Sequence, residues 1–239
     1  MLRVLKTETE KTEARRRLEE RGLSALPGTG RALLQRLGLS GSVPVGDIVK
    51  SWDVLATVEF VESRFAHDAA LLDIGAYACE VPVALHRLGY RSLTAVDLDP
   101  KLLKMPHADA IRYQVCDFMR TPFGDASFSA ITSISVIEHG YQPEHLLREV
   151  SRLLAPGGCF VASFDYWPEK IDTADIRMFD MSWTILSRTD VEELVRLAAN
   201  FGLYPVGDLC FDAGDALIEC AGRKYTFGWL ALEKRNANA

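Results

Sequence analysis

The feature of this sequence that most constrains its fold is residues 71–80, which read Leu-Leu-Asp-Ile-Gly-Ala-Tyr-Ala-Cys-Glu. A short apolar run ends in an acidic residue and a glycine, and a helix-like segment, residues 81–89, follows. This order predicts a strand, a tight turn and a helix. In a wound α/β sheet, the turn at the carboxyl end of the first strand is where a nucleotide-like ligand binds. Gly75 allows a close approach of the ligand, and the helix N-terminus offers free N–H groups.

The rest of the chain continues the alternation of strands and helices. Apolar runs predict four further strands at residues 92–96, 111–115, 129–133 and 159–163, and the last two strands at 204–208 and 224–233. Residues 144–154 carry an apolar stripe of helical period, and Thr189 to Glu192 has the form of a capping box for a helix through Asn200. The pattern predicts a doubly wound, mainly parallel sheet covered on both faces. The last two strands are close enough in sequence to form an antiparallel pair at one edge.

The first third of the chain differs from this pattern. Residues 6–21 mix both charge signs and predict a solvated helix or a loose arm, and residues 27–30, Pro-Gly-Thr-Gly, predict a turn before a short helix. A phosphate loop is disfavoured there because no Gly-Lys-Ser/Thr follows. Residues 51–65 predict a stronger helix, which packs on the sheet edge or covers the ligand cleft. We therefore divide the chain into an N-terminal helical extension or lid, residues 1–66, and a Rossmann-like domain, residues 67–239.

Composition restricts the functional classes. The chain has 239 residues, 48% of them hydrophobic and 25% charged, which is typical of a globular protein, and its net charge of -6 disfavours a general nucleic-acid binder. The first 20 residues contain no apolar signal-peptide core, and no apolar run approaches the ~20 residues that span a bilayer. Five scattered cysteines without CxxC spacing indicate free thiols. We expect a cytoplasmic protein with no nucleic-acid or membrane partner and no metal, and we leave its oligomeric state open.

Four polar residues follow the first four predicted strands: Asp73, Asp97, Asp117 and Ser133. The carboxyl ends of these strands share one rim of the sheet, where three carboxylates repel each other unless a ligand with hydroxyl and amino donors binds them. Asp97 follows Asp73 at about the spacing at which an acidic residue meets ribose hydroxyls. The alternatives are a turn residue before Pro100 for Asp97, a loop cap for Asp117, and bonds to its own turn for Asp73.

Five segments in order extend this pattern: residues 71–75, 95–100, 116–118, 122–139 and 152–158. They include Leu-Leu-Asp-Ile-Gly, Ala-Val-Asp-Leu-Asp-Pro and Arg-Leu-Leu-Ala-Pro-Gly-Gly. Together they resemble the class I S-adenosylmethionine-dependent methyltransferases, especially the small-molecule branch called methyltransferase type 11. The likeness covers residues 68–165 well and the remainder in outline.

The resemblance implies a seven-stranded sheet whose last strand is antiparallel, with S-adenosylmethionine as cofactor. It also implies which residues contact that cofactor: Asp73, Gly75 and Ala76 at the methionyl end, Asp97 at the ribose, Leu98, Asp117 and Phe118 at the adenine, and Ser133 and Ile134 on the floor near the sulfonium.

One departure from the family pattern concerns the glycine loop. Tyr77 and Cys79 occupy positions where the family usually has glycine. The Cβ of Tyr77 disfavours positive φ and takes up space beside the ligand, so the loop follows another path or the site is altered or lost. We favour another path, with Tyr77 still in the cofactor site. Glu80 lies in the first turn of the helix, where a carboxylate is stabilised, and we hypothesise that it holds the amino group of the cofactor.

Methyl transfer from a sulfonium needs placement of the nucleophile, exclusion of water and in some cases a base. His139 follows the fourth strand and is the candidate base, with an unperturbed pKa of about 6.5. The alternative is a histidine bonded to a neighbouring helix or loop. Residues 164–183 are rich in aromatic and acidic side chains and are the candidate acceptor wall, in which Tyr166, Trp167 and Trp183 either stack on a ring or form a small core.

We therefore expect a methyltransferase that acts on a small-molecule acceptor such as a sugar or another natural-product intermediate. The replaced glycines keep a second hypothesis open, a degenerate methyltransferase fold that serves as a binding or scaffold protein. A nicotinamide-dependent oxidoreductase fits poorly because Gly-x-Gly-x-x-Gly is absent.

Overall fold

The computed structural model describes residues 1–26 and 43–235. Within these ranges a nine-stranded sheet is accompanied by a separate two-stranded hairpin. The strands are β1 (Leu2–Val4), β2 (Ala70–Ile74), β3 (Ser92–Asp97), β4 (Ile111–Val115), β5 (Phe128–Ile134), β6 (Leu154–Tyr166), β7 (Arg177–Met178), β8 (Met181–Ser182), β9 (Leu203–Pro205), β10 (Ile218–Cys220) and β11 (Arg223–Lys234). The α-helices are α1 (Glu8–Glu20), α2 (Ser51–Arg64), α3 (Val81–Arg87), α4 (Pro143–Leu153) and α5 (Arg188–Ala199).

The order of the main sheet is β1-β11-β6-β5-β2-β3-β4, and the short strands β9 and β10 also pair with β11. Strands β2 to β6 are parallel, and β11 is antiparallel to β6. All seven predicted strands are present, so the predicted α/β fold with a mainly parallel sheet and an antiparallel last strand is confirmed. The predicted antiparallel pair of the last two strands is also present, as β9 and β11.

Two hydrophobic cores cover the two faces of the sheet. One core joins α1, α2 and α3 to the sheet, and the other joins α4 and α5 to it. The apolar stripe predicted for α4 is buried, with Leu146, Leu147, Val150 and Leu153 each at most 2% exposed. Helix α2 packs directly on the sheet, where the indole N–H of Trp229 donates to the Thr57 hydroxyl over 2.9 Å.

The N-terminal region contains more than the predicted helices. Strand β1 pairs antiparallel with β11, so the first residues of the chain belong to the edge of the sheet. Helix α1 then begins at a capping box formed by Thr7 and Glu10. A strand of three residues carries too few positions to show a period of two, which is why the sequence pattern missed it. The turn predicted at residues 27–30, the short helix after it and residues 236–239 lie outside the described residues.

Two predicted boundaries need correction. Helix α5 begins earlier than predicted, because Ser187 and Asp190 form its capping box and not Thr189 and Glu192. Strand β6 begins at Leu154 and not at the predicted residue 159, so that it includes the Pro-Gly-Gly segment at residues 156–158. The register against β5 shifts between Phe128 and Ala130, so this segment joins the sheet through a local irregularity of the kind that Gly and Pro favour.

All five cysteines are free thiols, as predicted. Among the helices of the described residues, none combines the length and the apolar character needed to cross a bilayer. The cytoplasmic location stays a prediction.

Candidate active site

The polar residues singled out in the sequence lie at the ends of neighbouring parallel strands. Ile74 of β2 pairs with Val96 of β3 and with Ser133 of β5, and Asp97 pairs with Val115, the last residue of β4. Asp73, Asp97, Asp117 and Ser133 therefore lie along one rim of the sheet, at the point where β2, β3, β4 and β5 end.

The loop after β2 takes a path that fits its unusual sequence. Its backbone is left-handed at Gly75 (φ +67°) and Ala78 (φ 60°), and not at Tyr77. A Cβ on Gly75 would lie 2.3 Å from a methyl group of Val136, so only glycine fits there. The second left-handed residue of the loop is therefore the small Ala78, and the bulky Tyr77 does not have to adopt this unfavourable conformation.

This path fixes Asp97. The Tyr77 N–H donates to Oδ2 of Asp97 over 2.9 Å, and the Asp99 N–H donates to Oδ1 over 2.8 Å. Each carboxylate oxygen has two lone-pair sites and keeps capacity for a further donor. Next to Asp97, the apolar side chain of Leu98 is 54% exposed at the rim.

A cavity of about 290 Å³ lies beside the loop. Its walls are formed by the segment that precedes α2, the first turn of α2, the glycine loop, the end of β5 and the β7–β8 hairpin. The lining residues are Gly46, Asp47, Lys50, Val54, Gly75, Tyr77, Ala78, Cys79, Glu80, Ile134, Ser135 and Phe179. Helix α2 thus both packs on the sheet and contributes to the cavity wall. A second cavity, of about 330 Å³, lies between the start of α4 and α5, away from the rim.

Behind the glycine loop, buried polar atoms lack partners. Asp73 is 4% exposed, and one of its oxygens accepts the Thr132 hydroxyl. The other oxygen of Asp73 and the hydroxyl of Ser133 have no hydrogen-bond partner among the described residues. Burial raises the pKa of Asp73 to about 7, and the negative charge of Asp97 adds to this, while the hydrogen bond from Thr132 and the neighbouring Cys79 thiol oppose it. Orphaned groups of this kind, beside a rim that presents Asp97 and Leu98, fit a nucleoside-bearing cofactor.

The other predicted cofactor residues are distributed around this rim. Ala76 is fully buried in the loop, and Ile134 lines the cavity. Asp117 is exposed after β4, and its carboxylate accepts the Met119 N–H over 2.8 Å, which leaves oxygen lone pairs free at the outer end of the rim. Phe118 is half-buried beside it.

At the other end of the cavity, Lys50 stands in front of a buried polar cluster. Its ammonium donates to the Ser135 hydroxyl and lies 4.1 Å from the ring centroid of Phe227. Behind Ser135, the Ser163 hydroxyl donates to Oδ2 of the fully buried Asp53 over 2.8 Å. Burial raises the pKa of Asp53 to about 6, against the opposing charge of Lys50.

Two further buried carboxylates complete the cluster. Asp165 accepts the indole N–H of Trp183 over 2.7 Å, and Glu138 has no partner for either oxygen among the described residues. The pKa values of both carboxyl groups are raised by burial, and the positive charge of the nearby Lys50 opposes part of this increase. The cluster therefore contains three carboxyl groups and one lysine, in a region that disfavours charge.

His139, the predicted base, lies near the cavity but not in its wall. Its Nδ1 has no partner among the described residues, and its ring meets the ring of Phe179 edge-on at 5.2 Å. Burial, assisted by the Lys50 charge, lowers the pKa of His139 to about 4. Phe179 itself is 79% exposed and lines the cavity from the tip of the β7–β8 hairpin.

The predicted acceptor wall needs a partial correction. Tyr166 is fully buried and donates its hydroxyl to the Phe211 carbonyl, and Trp183 is 2% exposed. Both side chains belong to the cores, which was the alternative interpretation. Trp167 is half-buried. Within residues 164–183, Phe179 is the aromatic side chain that reaches the cavity.

Glu80 also lines the cavity, but its carboxylate oxygens accept hydrogen bonds from the Arg15 guanidinium and from the Ala25 N–H. These contacts leave little capacity for the amino group of a cofactor, the role that the sequence suggested. Sequence reasoning missed Arg15, Lys50 and Phe179 because nothing in their local pattern sets them apart. An acidic residue inside an apolar helix was the available signal for Asp53.

Comparison with known proteins agrees with this geometry. The family described as a methyltransferase domain, type 11, matches residues 72–162, which include most of β2, all of β3 to β5 and most of β6. This segment is a class I methyltransferase domain of the type 11 branch. The family resemblance drawn from the five sequence segments is confirmed.

The relatives cover only part of the chain. A ubiquinone biosynthesis O-methyltransferase of Xanthomonas campestris pv. campestris is 31% identical over 114 residues, which are 44% of this chain and 47% of the relative. The chain thus matches about half the length of this curated relative.

Solved structures share the fold over a larger part of the domain. A geranyl diphosphate C-methyltransferase from Streptomyces coelicolor A3(2) superposes with a TM-score of 0.58 at 19% identity, over 75% of this chain and 78% of that one. A putative sarcosine dimethylglycine methyltransferase from Galdieria sulphuraria gives 0.57 at 17% identity, over 86% and 97%. At these identities the likeness concerns the fold alone.

Proposed function

We propose that the methyltransferase domain transfers a methyl group from S-adenosylmethionine to a small-molecule acceptor. The observation that carries the proposal is the carboxylate of Asp97. Two backbone N–H groups fix it at the rim of the sheet, beside an open cavity and next to an exposed apolar side chain. A hydroxylated, ring-bearing cofactor satisfies the remaining lone pairs and covers Leu98.

The residues predicted from the sequence retain their proposed roles, with one change. Asp73, Gly75, Ala76 and Tyr77 would hold the methionyl end, Asp97 the ribose, Leu98, Asp117 and Phe118 the adenine, and Ser133 and Ile134 the floor. Glu80 is removed from the direct contacts because Arg15 engages it. When bound, S-adenosylmethionine supplies a methyl group that is already activated on a sulfonium.

The acceptor would enter at the end of the cavity bounded by Lys50, Ser135 and Phe179. Because the curated relative is named as an O-methyltransferase, we propose a hydroxyl oxygen as the atom methylated. A sugar or another natural-product intermediate remains the proposed kind of acceptor. The exposed Phe179 ring offers an apolar surface on which a ring can pack.

His139 remains the proposed base, in a limited role. With its pKa near 4, the imidazole is neutral at pH 7 and able to accept a proton, but it is a weak base. We therefore propose that positioning of the acceptor and exclusion of water provide most of the rate.

The competing proposal is a degenerate fold that serves as a scaffold, favoured by the loss of two glycines. Calorimetry with S-adenosylhomocysteine separates the two. We expect micromolar binding, weakened about tenfold or more by Asp97→Asn, because a hydrogen bond to a charged group contributes about 1.5–3 kcal/mol.

The matched control is Asp125→Asn. Asp125 has an exposed carboxylate that pairs with Arg152, and its loss is expected to leave binding unchanged. The absence of binding at millimolar ligand would favour the scaffold, and binding of NADH alone would favour an oxidoreductase.

A further inference from the structure

A buried ion pair joins the N-terminal helix to the candidate cofactor loop. Arg15 of α1 is 7% exposed and Glu80 is 1% exposed. The guanidinium and the carboxylate form a bidentate contact, with Nη1 to Oε1 at 3.0 Å and Nη2 to Oε2 at 2.9 Å. This parallel geometry is the strong and directional form of an arginine–carboxylate pair.

Every N–H of the Arg15 guanidinium is engaged. Besides the two bonds to Glu80, Nε donates to the Ser51 hydroxyl over 2.9 Å, Nη1 to the Ser24 hydroxyl over 2.9 Å, and Nη2 to the Asp47 carbonyl over 3.2 Å. These five bonds exhaust the donors of the side chain. One arginine thus connects α1, the start of α2, the start of α3 and two connecting segments.

The ion pair is continuous with the glycine loop. Glu80 directly follows Cys79, and the Gly46 N–H, next to Asp47, donates to the Ala78 carbonyl over 2.9 Å. A Cβ on Gly46 would lie 3.0 Å from the Glu80 carboxylate, so the two segments are in close contact. Arg15 therefore supports the loop from two sides, through the Glu80 carboxylate and through the segment that bonds to Ala78.

The loop needs this support because of its sequence. A residue other than glycine in the left-handed region persists only where its surroundings hold it there, and Ala78 is such a residue. The same conformation directs the Tyr77 N–H at Asp97.

We infer that Arg15 is a positioning residue of the cofactor site, which holds residues 75–79 in the conformation that fixes Asp97 and borders the cavity. It acts through Glu80 and Asp47. The N-terminal helix is then a fixed part of the cofactor site. The identity of the ligand rests on the proposed function, whereas the state of the loop can be measured without any ligand.

The same pair of helices provides a matched control. Arg21, the C-cap residue of α1, binds both oxygens of Glu62 on α2, at 2.8 and 2.7 Å, in an exposed ion pair that does not contact the loop. Arg21→Met removes a link between α1 and α2 and leaves the Arg15 contacts intact. Arg15→Lys keeps the positive charge but cannot form the bidentate contact, and Glu80→Gln keeps the volume but removes the negative charge, so each variant disrupts the ion pair with a small change of size.

The first experiment measures amide hydrogen exchange in the ligand-free protein. We expect Arg15→Lys and Glu80→Gln to speed exchange of the Tyr77 and Cys79 amides at least tenfold, while Arg21→Met leaves them within twofold of wild type. Melting temperatures of all variants identify any global loss of stability. Unchanged protection of both amides in Arg15→Lys and Glu80→Gln would overturn the inference.

The second experiment measures cofactor affinity, by calorimetry with S-adenosylhomocysteine well below the melting temperatures. We expect the dissociation constant to rise at least tenfold in Arg15→Lys and Glu80→Gln, and to stay within twofold in Arg21→Met. A role in stability alone would lower the melting temperature and leave the dissociation constant unchanged, which would contradict the inference. If wild type fails to bind, the proposed function is lost, while the exchange data still decide the role of Arg15.

Discussion

Asp73 is a carboxylic acid in a site that disfavours its charge. It is almost fully buried, one of its oxygens lacks a partner among the described residues, and burial raises its pKa to about 7. In the unfolded chain the pKa of an aspartate is about 3.9. At a pH between these two pKa values, the folded state binds more protons at this site than the unfolded state. The contribution of Asp73 to stability is therefore complete below pH 4 and is lost as the pH rises to 7.

We predict that Asp73→Asn removes the loss of stability that ionisation of Asp73 causes between pH 4 and 7. The stability of the variant relative to wild type should rise with pH by about 1.4 kcal/mol per unit between pH 4 and 7, to an upper limit of about 4 kcal/mol, and then level off. Urea unfolding at pH 5, 6, 7 and 8 measures the difference. The other buried carboxyl groups are the same in both proteins, so their contributions cancel.

Asp125→Asn controls for the loss of a carboxylate as such, because Asp125 is exposed. Its stability curve should run parallel to that of wild type. Parallel curves for Asp73→Asn as well would show that Asp73 is ionised in the folded protein across this range. We also expect Asp73→Asn to weaken binding of S-adenosylhomocysteine, since Asp73 is one of the proposed contacts of the methionyl end.

Individual residues at the rim were predictable where a local pattern fixes their place. Asp73 and Asp97 end apolar runs, and the ends of parallel strands must meet at one edge. Glu80 was not predictable in this way, because its partner Arg15 lies 65 residues earlier in the chain. A carboxylate at the start of a helix has the same local sequence pattern whether it binds a ligand or an arginine.

The turn of the β7–β8 hairpin has a strained backbone and carries an exposed aromatic side chain. Its two turn residues, Phe179 and Asp180, both have positive φ (53° and 61°), the combination typical of type I′ turns. Asparagine or glycine usually occupies such positions, and a bulky side chain there is unfavourable. The Phe179 ring is nevertheless held at the cavity, beside His139.

We predict opposite effects on stability and on acceptor binding for Phe179→Gly. The glycine relieves the left-handed strain and should stabilise the hairpin or leave the melting temperature unchanged, while loss of the ring raises the KM of the acceptor about tenfold. Asp180→Gly relieves strain at the neighbouring residue and keeps the ring, so its KM should match wild type. An unchanged KM in Phe179→Gly would show that the ring does not contact the acceptor.

Most of the elements that sequence reasoning found carry apolar residues over five or more positions. Strands β2 to β5 and helix α4 are of this kind. The hairpin at residues 177–182 and strand β10 have two or three residues in each strand, and their formation depends on contacts made after the chain has folded. The start of α5 was misplaced because two Ser/Thr residues compete as caps, and Ser187 is the one whose side chain meets the Asp190 N–H.

Residues 1–66 are either a separable lid or part of the same folding unit as the sheet. The predicted boundary at residue 67 rests on the change in sequence pattern. Contacts cross it extensively: β1 pairs with β11, Trp229 of the sheet bonds to Thr57 of α2, and Arg15 of α1 binds Glu80. Leu5 and Leu18 are fully buried in the core that also contains sheet residues.

We therefore predict a single cooperative unfolding transition, to which the N-terminal helix contributes in full. Leu18→Ala should lower the free energy of unfolding of the whole protein by about 2–5 kcal/mol, because it deletes buried methyl groups from the shared core. Leu103→Ala is the control, since Leu103 is 58% exposed and its truncation should change stability by about 0.5 kcal/mol or less. Urea denaturation followed by far-ultraviolet circular dichroism and by tryptophan fluorescence provides the measurement. If residues 1–66 were a separable lid, two transitions would appear, one for the lid and one for the sheet. Leu18→Ala would then shift only the transition of the lid, because the sheet would unfold independently of α1. Coincident transitions that both shift in Leu18→Ala would instead make the N-terminal region part of the methyltransferase fold, and would explain how an arginine on the first helix can control a loop on the far side of the predicted boundary.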